Sequence, residues 1–168
     1  MDGSEPFAGA SYQDHPFRPY LCFEMIELVL STLRLCGAGL ILLGLLHLPI
    51  SKYLKWKEEA ARMSELNATV FHVHTFFIVL VLFFTGLPAL LDPEVFLEPS
   101  RAARWGCWSL ALFWAIRLVM QWTLYNPRWW KGKSFETAMH WFFSLVWLLL
   151  TALFVTCAAI QEGWLAKA

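Results

Sequence analysis

Charge is scarce in this sequence. Asp, Glu, Lys and Arg make up 15% of its 168 residues, where a soluble domain carries about 25%. With 58% hydrophobic residues, a water-soluble domain would expose large apolar patches and aggregate. The formal net charge is +0, so no basic surplus points to nucleic acid as a partner. Cysteine is sparse too. Cys22, Cys36, Cys107 and Cys157 form no CxxC pair, which removes zinc-knuckle and dithiol-redox motifs and leaves small packing residues. HExxH, GxSxG and phosphate-binding glycine loops are absent. The apolar runs hold no Asp or Glu beyond the start of the first, so a carboxylate proton relay is not expected. The first residues include Asp2 and Glu5 and lack the basic stretch of a cleaved signal peptide.

What is abundant is apolar chain in long runs. A membrane-spanning helix needs roughly 20 mainly apolar residues, and four segments qualify, at about 28–48, 67–91, 105–125 and 137–160. The runs do not alternate as barrel strands would. The expectation is an all-α, integral membrane four-helix bundle spanning 21–168 as one domain, after an irregular tail over 1–20 that holds Pro6, Pro16 and Pro19. Pro49 is expected to end the first helix, and Thr85-Gly86-Leu87-Pro88 to kink or end the second. Gly37, Gly39 and Gly44 give the first helix small surfaces for close helix approach.

Loop charges orient the bundle. Lys52, Lys55, Lys57, Arg62, Arg128, Lys131 and Lys133 lie on one side, against Arg18, Arg101, Arg104 and Lys167 on the other. Seven against four puts the two basic loops in the cytoplasm and both termini outside, in an inner or plasma membrane. Trp56, Trp129 and Trp130 then mark the inner interface, and Trp105, Trp108 and Trp164 the outer one. The segment 51–65 has the composition of a short amphipathic helix on the inner surface.

Polar groups inside such runs are the candidates for function. His47, His72, His74 and His140 lie on three helices at similar depth near the basic side. His72 and His140 each fall about five residues into their helices, or about 7–8 Å at 1.5 Å per residue. Two level imidazoles on facing helices can clamp one metal or one haem iron. His72 and His74 point about 200° apart, so one ligates and the other does not; His47 is the alternative partner. Histidine also serves as an interfacial residue or an interhelical hydrogen-bond link. Arg117, in the middle of the third helix, needs a partner: a haem propionate, an anion, backbone carbonyls or Gln121 one turn away. Arg34 is expected to pair with Glu27 or Glu24. Asn126-Pro127 breaks the third helix, and the basic and aromatic residues after it read as membrane anchors.

The stretch Phe71-His72-Val73-His74-Thr75-Phe76, followed by Leu82-Phe83-Phe84-Thr85-Gly86-Leu87, resembles the opening helix of the membrane cytochrome b subunits of formate dehydrogenases and nickel–iron hydrogenases; Met139-His140-Trp141 is similar in character. The resemblance covers about twenty residues. It implies a four- or five-helix bundle holding b-type haem between histidines and exchanging electrons with a quinone. The chain departs from that pattern at Asn67 and Ala68, where the family has an arginine, and at Phe154, where it has a second histidine.

Two expectations follow. One is a membrane electron carrier with haem b held by His140 and by His72 or His74, with Arg117 facing a propionate or a quinone. The other is a structural or accessory subunit beside other membrane subunits, with no catalytic residue of its own. A copper or zinc site on His72, His74 and His140 would use the same imidazoles, while no inverted repeat supports a transporter.

Overall fold

The computed structural model describes residues 17–164, with side chains from residue 23 onward. The expected tail, with His15, thus lies outside the described residues up to 16, as does Lys167. Among the described residues the regular structure is all helical: α1 (Phe17–Tyr53), α2 (Trp56–Ala60), α3 (Glu65–Leu91), α4 (Arg101–Thr123) and α5 (Ser134–Gln161), with short 3₁₀ turns at Pro93–Phe96 and Pro127–Trp129. The helix starts are capped by side chains where the sequence supplies them. Ser64 Oγ accepts from the Asn67 N–H at 3.4 Å and Ser100 Oγ from the Ala103 N–H at 3.1 Å, each satisfying one donor the first helical turn leaves over.

Among the described residues three helices are long and apolar enough to cross a membrane: Phe23–Tyr53 of α1, α3 and α5. At 27 residues α3 is about 40 Å long, against about 30 Å of hydrocarbon. The 23-residue α4 is not among the three, because Arg101, Arg104, Arg117, Gln121 and four tryptophans dilute its apolar character. Leu35, Phe84, Leu91 and Leu145 are each at least 65% exposed. Such a surface suits lipid rather than water.

Neither proline ends its helix. α1 runs through Pro49 to Tyr53 and α3 through Pro88 to Leu91. Each proline removes one backbone donor, and the turn resumes beyond it, with the Leu54 N–H reaching Ile50 O at 2.8 Å and the Asp92 N–H reaching Pro88 O at 2.9 Å.

The helices pair as two hairpins, α1 against α3 and α4 against α5. In the first, backbones touch. A Cβ added to Gly37 would lie 2.7 Å from Gly86 O and 2.7 Å from Leu90 N, and one added to Gly44 would lie 2.9 Å from the Phe83 ring. Gly39 meets nothing within 4 Å, so two of the three expected small residues make the contact. Thr85-Gly86 therefore has a packing role: both are buried where α1 crosses.

The hairpins join at the connector between α3 and α4. Phe96 is buried there with its ring 5.4 Å from that of Phe154. Its carbonyl accepts from Gln161 Nε2 at 2.7 Å and from Cys107 Sγ at 3.4 Å. Arg34 pairs across the same region with Glu94 at 3.1 Å, in place of the expected Glu27 or Glu24. Glu94 sits on the 3₁₀ turn that packs against α1, a partner 60 residues away that local spacing does not reveal. The buried part of the α1–α3 hairpin is concentrated toward this end. No residue of α1 beyond Gly44 and none of α3 before Leu82 is buried.

Candidate functional site

The sequence-derived site residues fall into two groups. The first lies between α4 and α5. Arg117, Gln121 and Tyr125 succeed one another at i, i+4, i+8, which aligns them on one face. Arg117 Nη1 donates to Gln121 Oε1 at 3.1 Å and Nη2 to the Tyr125 hydroxyl at 3.3 Å. The guanidinium also sits 5.0 Å from the Trp147 ring and 5.6 Å from that of Tyr125, within the range of a cation–π attraction. Trp147 in turn stacks on Trp114 at 5.2 Å with 5° between planes.

Gln121 then passes the chain to His140. Both are buried, and Gln121 Nε2 lies 3.2 Å from His140 Nδ1. Because Gln121 Oε1 already accepts from Arg117, its amide NH₂ is the end that faces the imidazole. Nδ1 therefore accepts, and the neutral ring carries its proton on Nε2. The ring is stacked on Trp130 at 4.1 Å with 5° between planes and meets Trp122 edge-on at 4.9 Å. Ligation of a metal through Nε2 would require the proton at Nδ1, setting two N–H groups face to face. Turning the Gln121 amide would only move that clash to Arg117.

The second group lies between α1 and α3 at the end with the basic connection. His47 and His72 line one cleft of about 680 Å³. His47 Nδ1 is 2.8 Å from Leu43 O, and since a carbonyl only accepts, the ring proton is on Nδ1. His74 makes the same bond to Val70 O at 2.8 Å on the exposed side of α3. Of the 72/74 pair, His72 is the one beside α1. The expected surface helix is the short α2, whose Trp56 is half-buried and packs edge-on 5.5 Å from Phe71 and 6.3 Å from His47.

The structure thus brings His47 to His72 and Arg117 to His140, and holds His140 in a different hairpin from His72 and His74. Among the described residues no group of three or more His, Cys, Asp or Glu gathers. Sequence reasoning noted Gln121 beside Arg117 but missed that it reaches His140, and it took Trp130 for an anchor. The Asn126-Pro127 turn brings Trp130 back onto α5, held by Nε1 donating to Tyr125 O at 3.4 Å and by Thr137 Oγ1 donating to Trp130 O at 2.6 Å. Only the four-residue spacing of Arg117, Gln121 and Tyr125 signalled this cluster.

No family model, curated protein or solved structure matches the chain.

Proposed function

We propose that this chain is a polytopic membrane subunit with no reaction of its own, a helical scaffold in a larger membrane assembly. Its four long helices all cross the bilayer, the two basic connections are cytoplasmic and both termini are outside. The pairing of α4 with α5, a helix long enough to span, supports a fourth crossing. Arg117, the costly residue in that helix, is met by Gln121, Tyr125 and the Trp147 face.

The observation that carries the scaffold reading is the Arg117–Gln121–His140 chain. Within it Arg117 Nη1, both polar ends of Gln121 and His140 Nδ1 are paired, as in a polar link between helices, while His140 Nε2 is buried without a hydrogen-bond partner. Purification of the tagged protein in mild detergent tests it. The wild type is expected to bring down membrane partners in fixed ratio, and Gln121→Ala and His140→Ala to reduce that yield. Loss of a redox activity in His72→Ala, His74→Ala and His140→Ala variants that still assemble would overturn it.

A second reading has its own observation. His47 and His72, on facing helices at one cleft, support a b-type haem electron carrier, with lysines for the propionates and a quinone as the class of redox partner. Purified protein expressed with ample haem and lacking a Soret band would remove that reading.

A further inference from the structure

The α1–α3 hairpin is tight at its glycine contacts and open at its basic end. The cleft there is lined by three lysines, Lys52, Lys55 and Lys57, and by one carboxylate, Glu58. Glu58 is already engaged with Lys55 at 3.7 Å. Three positive charges against one negative leave +2 with the imidazoles neutral. Apart from the hydroxyls of Ser51 and Thr75 the remaining wall is apolar: Leu48, Phe76 and Val79 continue the cleft toward the apolar length of α3.

The turn that shapes this cleft is strained. Lys55 has φ 53° and ψ 37°, in the left-handed region, and is the only non-glycine with positive φ among the described residues. Glycine would make the turn without strain. Here the position holds a lysine that lines the cleft, and the turn folds Trp56 back against His47 and Phe71.

We propose that this cleft binds the phosphate of an acidic phospholipid headgroup. The lysine ammonium groups and the His72 imidazole meet the phosphate oxygens, and an acyl chain lies along Phe76 and Val79. A free phosphate ion would offer the same oxygens, but it would leave the apolar wall bare. The site sits where two membrane-length helices meet a basic connection, the level at which anionic headgroups accumulate.

The inference rests on the membrane placement proposed above, and the two fail separately. Release of the protein from membranes by alkaline carbonate would defeat the placement. The lipid site is tested on the intact, detergent-purified chain by native mass spectrometry and by exchange from nanodiscs of phosphatidylglycerol or phosphatidylcholine.

Each lysine near a surface is worth roughly fivefold in affinity for acidic lipid. Phosphatidylglycerol is therefore expected to be retained at least about tenfold over phosphatidylcholine. The combined Lys52→Gln, Lys55→Gln, Lys57→Gln variant is expected to lose that preference. Lys131→Gln with Lys133→Gln, in the other basic connection, is expected to keep it. Lys55→Gly preserves the turn, so it is expected to fold as well as the wild type and bind acidic lipid several-fold more weakly.

Four results would overturn the proposal: no preference for phosphatidylglycerol; equal loss in the Lys131/Lys133 variant, which would mean diffuse surface charge; full displacement of lipid by excess inorganic phosphate; or a Soret band that disappears in His47→Ala and His72→Ala, which would give the cleft to haem.

Discussion

α1 and α3 meet through glycine, whereas α4 and α5 meet through tryptophan and a buried hydrogen-bonded chain. At Gly37 and Gly86 two backbones come so close that no side chain fits between them. Between α4 and α5 the space is filled by Trp114, Trp147 and His140. In lipid the first arrangement gains from dispersion over a close contact, because burying apolar surface against apolar tails gains little. The second gains from polar groups that would otherwise lie unpaired in hydrocarbon, though such bonds average only about 0.6 kcal/mol. The difference teaches where each hairpin is vulnerable: the first to added volume, the second to lost partners.

The largest effect should come from volume. Gly86→Leu would drive a side chain into Gly37 O and the Leu40 and Ile41 side chains, and overpacking of this kind costs about 3 kcal/mol. Thermal unfolding in detergent should show a large fall in midpoint. Gly39→Leu, on the open side of α1, should leave it unchanged. Equal effects at both positions would break the comparison.

A smaller loss is expected in the second hairpin. Gln121→Leu strips His140 Nδ1 and Arg117 Nη1 of their shared partner and should cost about 1–2 kcal/mol. Adding His140→Leu should recover part of that, because the orphaned imidazole is then gone. A double variant no better than the single would show that the bonds contribute less than the aromatic stacking around them.

The smallest effect belongs to Arg34 and Glu94. Their side chains are 47% and 56% exposed, so Arg34→Gln should cost about 0.5 kcal/mol. The measurement is the same unfolding midpoint, and salt should erase the difference if the pair lies in water rather than lipid.

Much of the architecture was legible in the sequence because a bilayer makes length and apolarity decisive. The four runs correspond to α1, α3, α4 and α5, and Gly37 and Gly44 were recognisable as contact surfaces. Helix ends at proline were not legible. Pro49 and Pro88 cost one backbone bond each, and the surrounding helix bears that loss. The pairing of Arg34 with Glu94 was hidden by separation in sequence. The histidines were the hardest case. Their common depth could be read from residue counts, but depth does not specify azimuth or which helices pair. His47 and His72 share a cleft because α1 packs on α3, and His140 is elsewhere because α5 packs on α4. Gln121 could be placed beside Arg117 by its four-residue spacing, yet its bond to His140 depends on how α4 lies against α5.

The Phe96 joint has a mechanical consequence. The two hairpins are pinned together near one end, by a ring set against Phe154 and a carbonyl held by Gln161 and Cys107. Each hairpin is then a lever about that pin. A tilt of roughly 5° would carry the far tip of a helix about 40 Å long through about 3–4 Å. The basic tips can therefore change their separation by a side chain's width while every contact at Phe96 is kept.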